Sequence, residues 1–277
     1  MQDMIKWLYM KTLETDFLLA LSEKASQMMR DAYSPTGTNV VMKEDYTPVT
    51  ETDIAINQMV IDETKKAYPE WGVLGEELEH NAEAARLIVV DPVDGTRPFS
   101  FGVPVFGFMA AVVDAGIPIA SVITNPIAGR TLYAHKGEGA WHLESGMQLS
   151  VSNNDTLERS VCDISSSSVW FSHIRRRLRG DYKANIPSFS AVAEVASMIA
   201  LGHLTASIGL WKSPHDMAAA KILIEEAGGK VTDLDGKEQL YNTATNGGIL
   251  SNGLTHQALQ DLYEHAREDY DQDHLND

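Results

Sequence analysis

Leu87-Ile88-Val89-Val90 is a continuous apolar, β-branched run that ends directly in Asp91-Pro92-Val93-Asp94-Gly95-Thr96. Such a run reads as a buried strand, one that needs other elements packed over it. The strand therefore delivers two carboxylates, three positions apart, followed by a glycine and a hydroxyl. Two carboxylates that close repel each other unless a cation lies between them. Hard divalent cations, Mg²⁺ above all, take oxygen ligands of this kind. Gly95 allows a sharp turn and a close approach to its N–H. Thr96 adds a hydroxyl and a second N–H. Cation, exposed amides and hydroxyl together suit a phosphate.

The rest of the chain mixes helix and strand. Apolar residues at helical spacing from about 3 to 32, among them Leu13, Leu18, Leu21, Ala25 and Met28, predict one or two packing helices. Val40 to Lys43 predicts a short strand, Tyr46 to Thr50 a loop, Asp53 to Tyr68 a helix, and Val73-Leu74 a strand stopping at Gly75-Glu76-Glu77. Val105 to Val113, Ile117 to Asn125 and Arg130 to Lys136 predict a meander, with a turn at Gly137 to Ala140. The second half alternates: strands at Ser160 to Ser165, Thr205 to Leu210, Lys230 to Thr232 and Ile249 to Ser251. Helices are predicted at Val169 to Arg179, Val192 to Leu201, His215 to Ala227 and Leu259 to Ala266. Gly228-Gly229 stands where a helix C-cap belongs. Strand and helix mixed without strict alternation predict a layered α+β or α/β fold.

The chain has 277 residues, enough for one large domain or two intimate halves. The polar loop Ser152-Asn153-Asn154-Asp155 is the best boundary, dividing an α+β half, residues 1–150, from an α/β half, residues 151–277. No run of about 18 apolar residues occurs, so no membrane association is expected. Met1 to Trp7 lacks a basic segment followed by an apolar core, so no signal peptide is expected. Cys162 is the single cysteine, which predicts a buried thiol and a reducing, cytoplasmic location. A net charge of −17 argues against a nucleic-acid partner. It leaves room for a small anionic substrate, because bound divalent metals invert the local sign. The acidic stretch Glu264 to Asp277 reads as a solvated, frayed end.

Three acidic clusters stand at predicted element ends: Glu76 and Glu77 after one strand, Asp91 and Asp94 after another, and Asp216 before a helix. Strand ends and helix starts at one sheet edge are where α/β proteins place ligands. If they converge, Glu76, Asp91, Asp94 and Asp216 make an oxygen-rich cage for two or three Mg²⁺ ions. Taken singly, Asp216 reads equally well as a helix N-cap, and Glu76 and Glu77 as exposed turn carboxylates. His215 reads as packing beside the site, and Ser165 to Ser168 as a polar loop rather than a nucleophile.

Gly75-Glu76-Glu77, Asp91 to Thr96, and His215-Asp216-Met217-Ala218-Ala219 through Glu226-Ala227-Gly228-Gly229, with Thr47 to Asp53 upstream, resemble the inositol monophosphatase family. The resemblance runs from about Thr12 to Leu262 and is specific for the family rather than for a substrate. It implies a layered α-β-α-β-α sandwich, a homodimer, and a Mg²⁺-dependent, lithium-sensitive phosphatase acting on a small phosphorylated metabolite. By resemblance, Glu76, Asp91 and the Val93 carbonyl hold a first Mg²⁺, and Asp91, Asp94 and Asp216 a second. Thr96, hydrogen-bonded to Asp53, helps Glu76 activate water, and Lys43 matches a family lysine near the metals. The Gly95 and Thr96 amides grip the phosphate; Asp94, Arg97, Ser190, Val192 and Asp216 complete the substrate-binding set. Inositol-preferring members carry a glutamate seven positions before the last aspartate, where this chain has Gly209. Together with the basic Arg97, that departure orders the expected substrates as histidinol phosphate, inositol or sugar phosphates, then 3′-phosphoadenosine-type nucleotides. The rival expectation is a metal- or metabolite-binding regulator that retains the fold.

Overall fold

The computed structural model describes residues 12–38, 41–42, 48–165, 168 and 170–274. Helix α1 (Leu13–Ala32) begins where the Thr12 hydroxyl accepts from the Thr15 N–H. β1 (Val41–Met42) pairs with β2 (Pro48–Val49), so a strand stands where the sequence suggested only a loop. Helix α2 (Glu51–Ala67) begins at a reciprocal box in which Thr50 and Asp53 each cap the other's backbone N–H. β3 (Gly72–Gly75), β4 (Glu79–His80) and β5 (Arg86–Asp94) follow, then the short helix α3 (Thr96–Ser100). The meander is β6 (Gly107–Asp114), β7 (Ile117–Asn125), β8 (Arg130–His135), β9 (Gly139–His142) and β10 (Met147–Gln148). Among the described residues these strands form one eight-stranded sheet, ordered β10-β9-β8-β7-β6-β5-β3-β4.

The second half supplies β11 (Cys162–Ser165), α4 (Phe171–Gly180), α5 (Val192–Ala200), β12 (Ala206–Gly209) and α6 (Pro214–Glu226). β13 (Lys230–Thr232), β14 (Gly248–Ser251) and α7 (His256–His274) complete it. A four-stranded sheet results, ordered β11-β12-β14-β13. α6 ends as Gly228-Gly229 implied: Gly228, at φ 93°, donates to the Glu225 carbonyl and Gly229 to that of Ile224.

Alternate residues of β5 serve different layers. Leu87 and Val89 join the apolar cluster under α5 and α6, while Ile88 and Val90 join the cluster under α1 and α2. Both faces are covered, which is why this strand shows no polar alternation. The small sheet's other face packs through Ile164, Ile208 and Ile249 against Phe171 and Ile174 of α4 and Leu259 of α7. The layers are therefore α1 and α2, large sheet, α5 and α6, small sheet, α4 and α7: the α-β-α-β-α sandwich.

Two expectations need correction. The stretch from Glu264 does not fray at its start, since α7 continues to His274. Ala266 is fully buried, and Arg177 of α4 grips Asp269 through Nε and Nη2 at 2.9 and 2.7 Å. β5 also does not stop at Val90 but runs through Asp94. Cys162 is buried as expected, and burial pushes its thiol up to about 11. Among the described residues no helix is long and apolar enough to cross a membrane.

Candidate active site

β3 runs parallel to β5, so both strands bring their C-terminal ends to one edge of the large sheet. Glu76 follows β3 at that edge, its N–H donating to the Val90 carbonyl at 3.1 Å. Asn57 of α2 holds the turn beyond it. Its Oδ1 accepts from the Glu77 and Leu78 N–H groups at 3.1 and 3.0 Å, and its Nδ2 donates to the Leu78 carbonyl at 3.0 Å. A Cβ on Gly75 would lie 2.3 Å from that Oδ1, so the clamp requires glycine.

Asp91 and Asp94 are separated by an odd number of positions, which in a regular strand sends side chains to opposite faces. Here Asp91 pairs with Met109 and Asp94 with Gly107, so β5 carries one extra residue against β6. This bulge, at Pro92-Val93, puts both carboxylates on one side. Pro92 is tolerated there because a bulge leaves its position outside the ladder. Asp216, in the first turn of α6, accepts from the Ser213 N–H at the N-cap rather than being the cap itself. Oxygen atoms of Asp91, Asp94 and Asp216 lie within 4.8 Å of one another.

Asp94 is anchored from another layer. Its Oδ2 accepts from the Ala193 N–H at 2.6 Å, and the carboxylate also accepts from that of Val192, at the start of α5. The α5 N-cap, Ala191, has no side chain to offer, so Asp94 serves in its place. Ser190, at φ 57°, turns the chain into this helix.

Burial pushes Asp91 well above the ordinary carboxylate range, and Glu76, Asp94 and Asp216 push it further. Burial lifts Asp94 to about 7, against the opposing pull of the Ala193 and Val192 amides. Asp216 rises to about 8 through burial and then through Asp94 and Glu76. The charges that act most strongly on Asp91, those of Glu76, Asp94, Asp216 and Asp53, are all negative, and its Oδ1 is buried with no hydrogen-bond partner among the described residues. A cluster of this composition fits a hard divalent cation with oxygen ligands.

Next to the trio, the Thr96 hydroxyl lies 3.2 Å from Asp53 Oδ1 and 3.0 Å from the Val93 carbonyl. Asp53 is fully buried, which raises its pKa, while the Thr50 hydroxyl and N–H and the Thr96 hydroxyl oppose that rise. Gly95 adopts φ 82°, and a Cβ there would stand 2.8 Å from the Val105 carbonyl. Both facts demand glycine. α3 spans only five residues, so its Gly95 and Thr96 amides act as individual donors with little helix dipole behind them.

Asp94 and Asp216 open onto a cavity of about 560 Å³, which Ser190 and Val192 also line. Arg97 is exposed and outside that lining, and Lys43 lies outside the described residues. Sequence reasoning missed Arg175 and Trp211, both of which line the cavity. Arg175 sits in Arg175-Arg176-Arg177, which as sequence looks like a solvated helix face. Trp211 had a signal: it follows Gly209 by two, and a Cβ on Gly209 would meet its ring at 2.6 Å.

Comparison with known proteins agrees with this architecture. The model of the inositol monophosphatase family matches residues 11–272. A histidinol-phosphatase of Mycobacterium tuberculosis is 33% identical over 255 residues, covering 86% of this chain and 93% of that protein. A fructose-1,6-bisphosphatase/inositol-1-monophosphatase of Thermotoga maritima is 31% identical over 246 residues, covering 87% and 92%. The solved Thermotoga maritima IMPase superposes with a TM-score of 0.83 at 30% identity, over 92% of this chain and 98% of that one. With a bulged strand, a clamped turn and a helix start bringing their carboxylates together on this sandwich, the chain belongs to the inositol monophosphatase family.

Proposed function

We propose that this chain is a Mg²⁺-dependent phosphatase that hydrolyses a small phosphomonoester by direct attack of water. The observation that carries the reading is the trio Asp91, Asp94 and Asp216, the first two buried and the third half-buried, with the unpartnered Asp91 oxygen among them and with Asp94 and Asp216 lining a ligand-sized cavity. Two or three Mg²⁺ ions held by Glu76, Asp91, the Val93 carbonyl, Asp94 and Asp216 would supply positive charge to the phosphoryl oxygens and acidify water.

The chain's own groups do the rest. Glu76 and the Thr96 hydroxyl, itself 3.2 Å from Asp53, orient the attacking water and take its proton. The Gly95 and Thr96 amides hold phosphoryl oxygens where charge accumulates. The Asn57 clamp and the α5 amides keep Glu76 and Asp94 in place, so little reorganisation is needed when substrate arrives. Lys43 is assigned a supporting positive charge, and residues 1–150 and 151–277 are assigned as two halves that each contribute ligands. A cytoplasmic homodimer is the assembly proposed, on the family resemblance and the single buried cysteine.

A regulator that merely retained the fold would need the carboxylates but not the Thr96 to Asp53 contact, which therefore favours catalysis. Likeness does not choose the alcohol, since relatives at 33% and 31% identity carry different substrate names. Histidinol phosphate, inositol or sugar phosphates and 3′-phosphoadenosine-type nucleotides are the candidates. Hydrolysis in ¹⁸O-enriched water with Mg²⁺ tests the reading. One heavy oxygen per released phosphate is the expected result. Release without label, or release indifferent to chelator, would contradict it.

A further inference from the structure

The cavity of about 560 Å³ falls among whole-ligand pockets and exceeds what a single phosphate needs. Its remaining volume must receive the alcohol half of the substrate. The walls there are apolar at Ile164, Leu210 and Trp211, with serine hydroxyls between them. Among the described lining residues, Arg175 is the only cationic side chain, and no carboxylate other than Asp94 and Asp216 is present.

Arg175 is held in place. It stands on α4 and reaches the end of β11, where its Nη2 donates to the Ile164 carbonyl at 2.8 Å. Asp163 lies behind it, fully buried; burial raises its pKa, against the opposing pull of its hydrogen-bond donors and, last, of the Arg175 guanidinium. Asp163 is itself fixed by the Ser207 hydroxyl at 2.9 Å, by the Ser165 hydroxyl and by the Phe189 N–H. A guanidinium has five N–H donors in a planar fork, so it serves a carbonyl and an incoming anion together. On the facing side, the Trp211 ring fills the space a side chain at Gly209 would need, so that position contributes no polar group.

We propose that Arg175 is a specificity-determining residue of this site, receiving a second anionic group, phosphate or carboxylate, on the alcohol half of the phosphomonoester. This rests on the phosphatase reading above. Bisphosphorylated sugars and bisphosphorylated nucleosides share the required chemistry. Histidinol phosphate, whose alcohol half carries an ammonium, gains nothing from Arg175.

The test uses matched pairs with Mg²⁺: fructose 1,6-bisphosphate against fructose 1-phosphate, and 3′-phosphoadenosine 5′-phosphate against adenosine 3′-phosphate. Wild type is expected to favour the doubly charged member of at least one pair, and the responding pair names the source. Arg175→Met should raise KM for that member about tenfold or more, with kcat nearly unchanged, as loss of uniform binding does. The singly charged partner should stay within about twofold, and Arg175→Lys should fall between. Arg175→Met also removes a positive charge near the buried Asp163, so Asp163→Asn/Arg175→Met, which removes both charges, carries the same expectation if the single variant misfolds. Equal KM losses for both members of each pair would reduce Arg175 to a structural counter-ion and overturn the proposal. Titration calorimetry with the same pairs, with Ca²⁺ replacing Mg²⁺ to stop turnover, separates the two readings. Absence of phosphate release contradicts the phosphatase reading; equal affinity within both pairs contradicts the role of Arg175.

Discussion

An added Cβ at Gly209 would stand 2.6 Å from two atoms of the Trp211 ring, inside any normal carbon contact. Gly209→Ala must therefore displace the indole that walls the cavity. The expected outcome is a rise in KM, a shifted tryptophan emission, and a stability loss of about 1–3 kcal/mol, the usual cost of overpacking. Unchanged KM and an unchanged melting temperature would show that the ring yields freely. Gly209→Glu alone is not expected to create an inositol preference, because the indole already occupies the path of the new carboxylate. The acidic residues were legible at this scale because their chemistry restricts residue type: few side chains hold Mg²⁺, and Asp91 and Asp94 close an apolar run. Arg175 was not, because an arginine reaching a cavity and one facing water have the same one-letter context. Asn57 was missed for a similar reason, since a clamp on Glu77 and Leu78 across about 20 positions leaves no local pattern.

The elements that position the site show the same division. In sequence, β7 reads with its observed bounds, Ile117–Asn125, and α5 from its first residue, because both are predominantly apolar and long enough for a pattern to show. β4, β9 and β10 were not read as strands; they are two to four residues long, too short for a period to show. The sequence ends β5 at Val90 because the apolar run stops at Asp91, and only pairing with β6 reveals the bulge that brings Asp91 and Asp94 together. α7 shows what pins an element. His256 at its start is buried, with Nδ1 2.8 Å from the Ser251 hydroxyl and Nε2 3.0 Å from that of Thr232. Thr232 donates its proton to the Asp233 carbonyl, so it accepts from Nε2–H, and Ser251, 2.8 Å from Nδ1 but 3.5 Å from the Lys230 carbonyl, donates to a bare Nδ1. The ring is therefore assigned as neutral. Burial, then the charges of Lys230 and Lys221, lower its pKa to about 4. With the folded pKa depressed, the unfolded chain takes up the proton first as pH falls. Stability from this group is complete above about pH 6.5 and drains away toward pH 4. Urea unfolding of wild type and His256→Gln at pH 7.5, 6 and 5 should show a loss in wild type that the variant lacks. Parallel losses would assign the effect elsewhere.

Across the whole molecule, a net charge of −17 and a largely buried acidic trio are both unfavourable for the bare chain, and the proposed divalent cations would relieve the second. The five layers explain how carboxylates far apart in sequence approach one another: the large sheet brings Glu76, Asp91 and Asp94 to its edge, and α6 brings Asp216 beside Asp91 and Asp94. This convergence was legible from the order of motifs, but the shape of the cavity beside it was not, since its wall combines β11, α4 and β12. With Asp94 and Asp216 lifted to about 7 and about 8, Mg²⁺ binding at pH 7 should release protons. The most direct test of the central claim is phosphate release from a phosphomonoester by wild type and by Asp91→Asn, each shown folded by a cooperative melt. The account predicts release in Mg²⁺, none in excess chelator, and a rate for Asp91→Asn lower by roughly a thousandfold. Turnover undiminished by chelator, or a folded Asp91→Asn working at the wild-type rate, would contradict it.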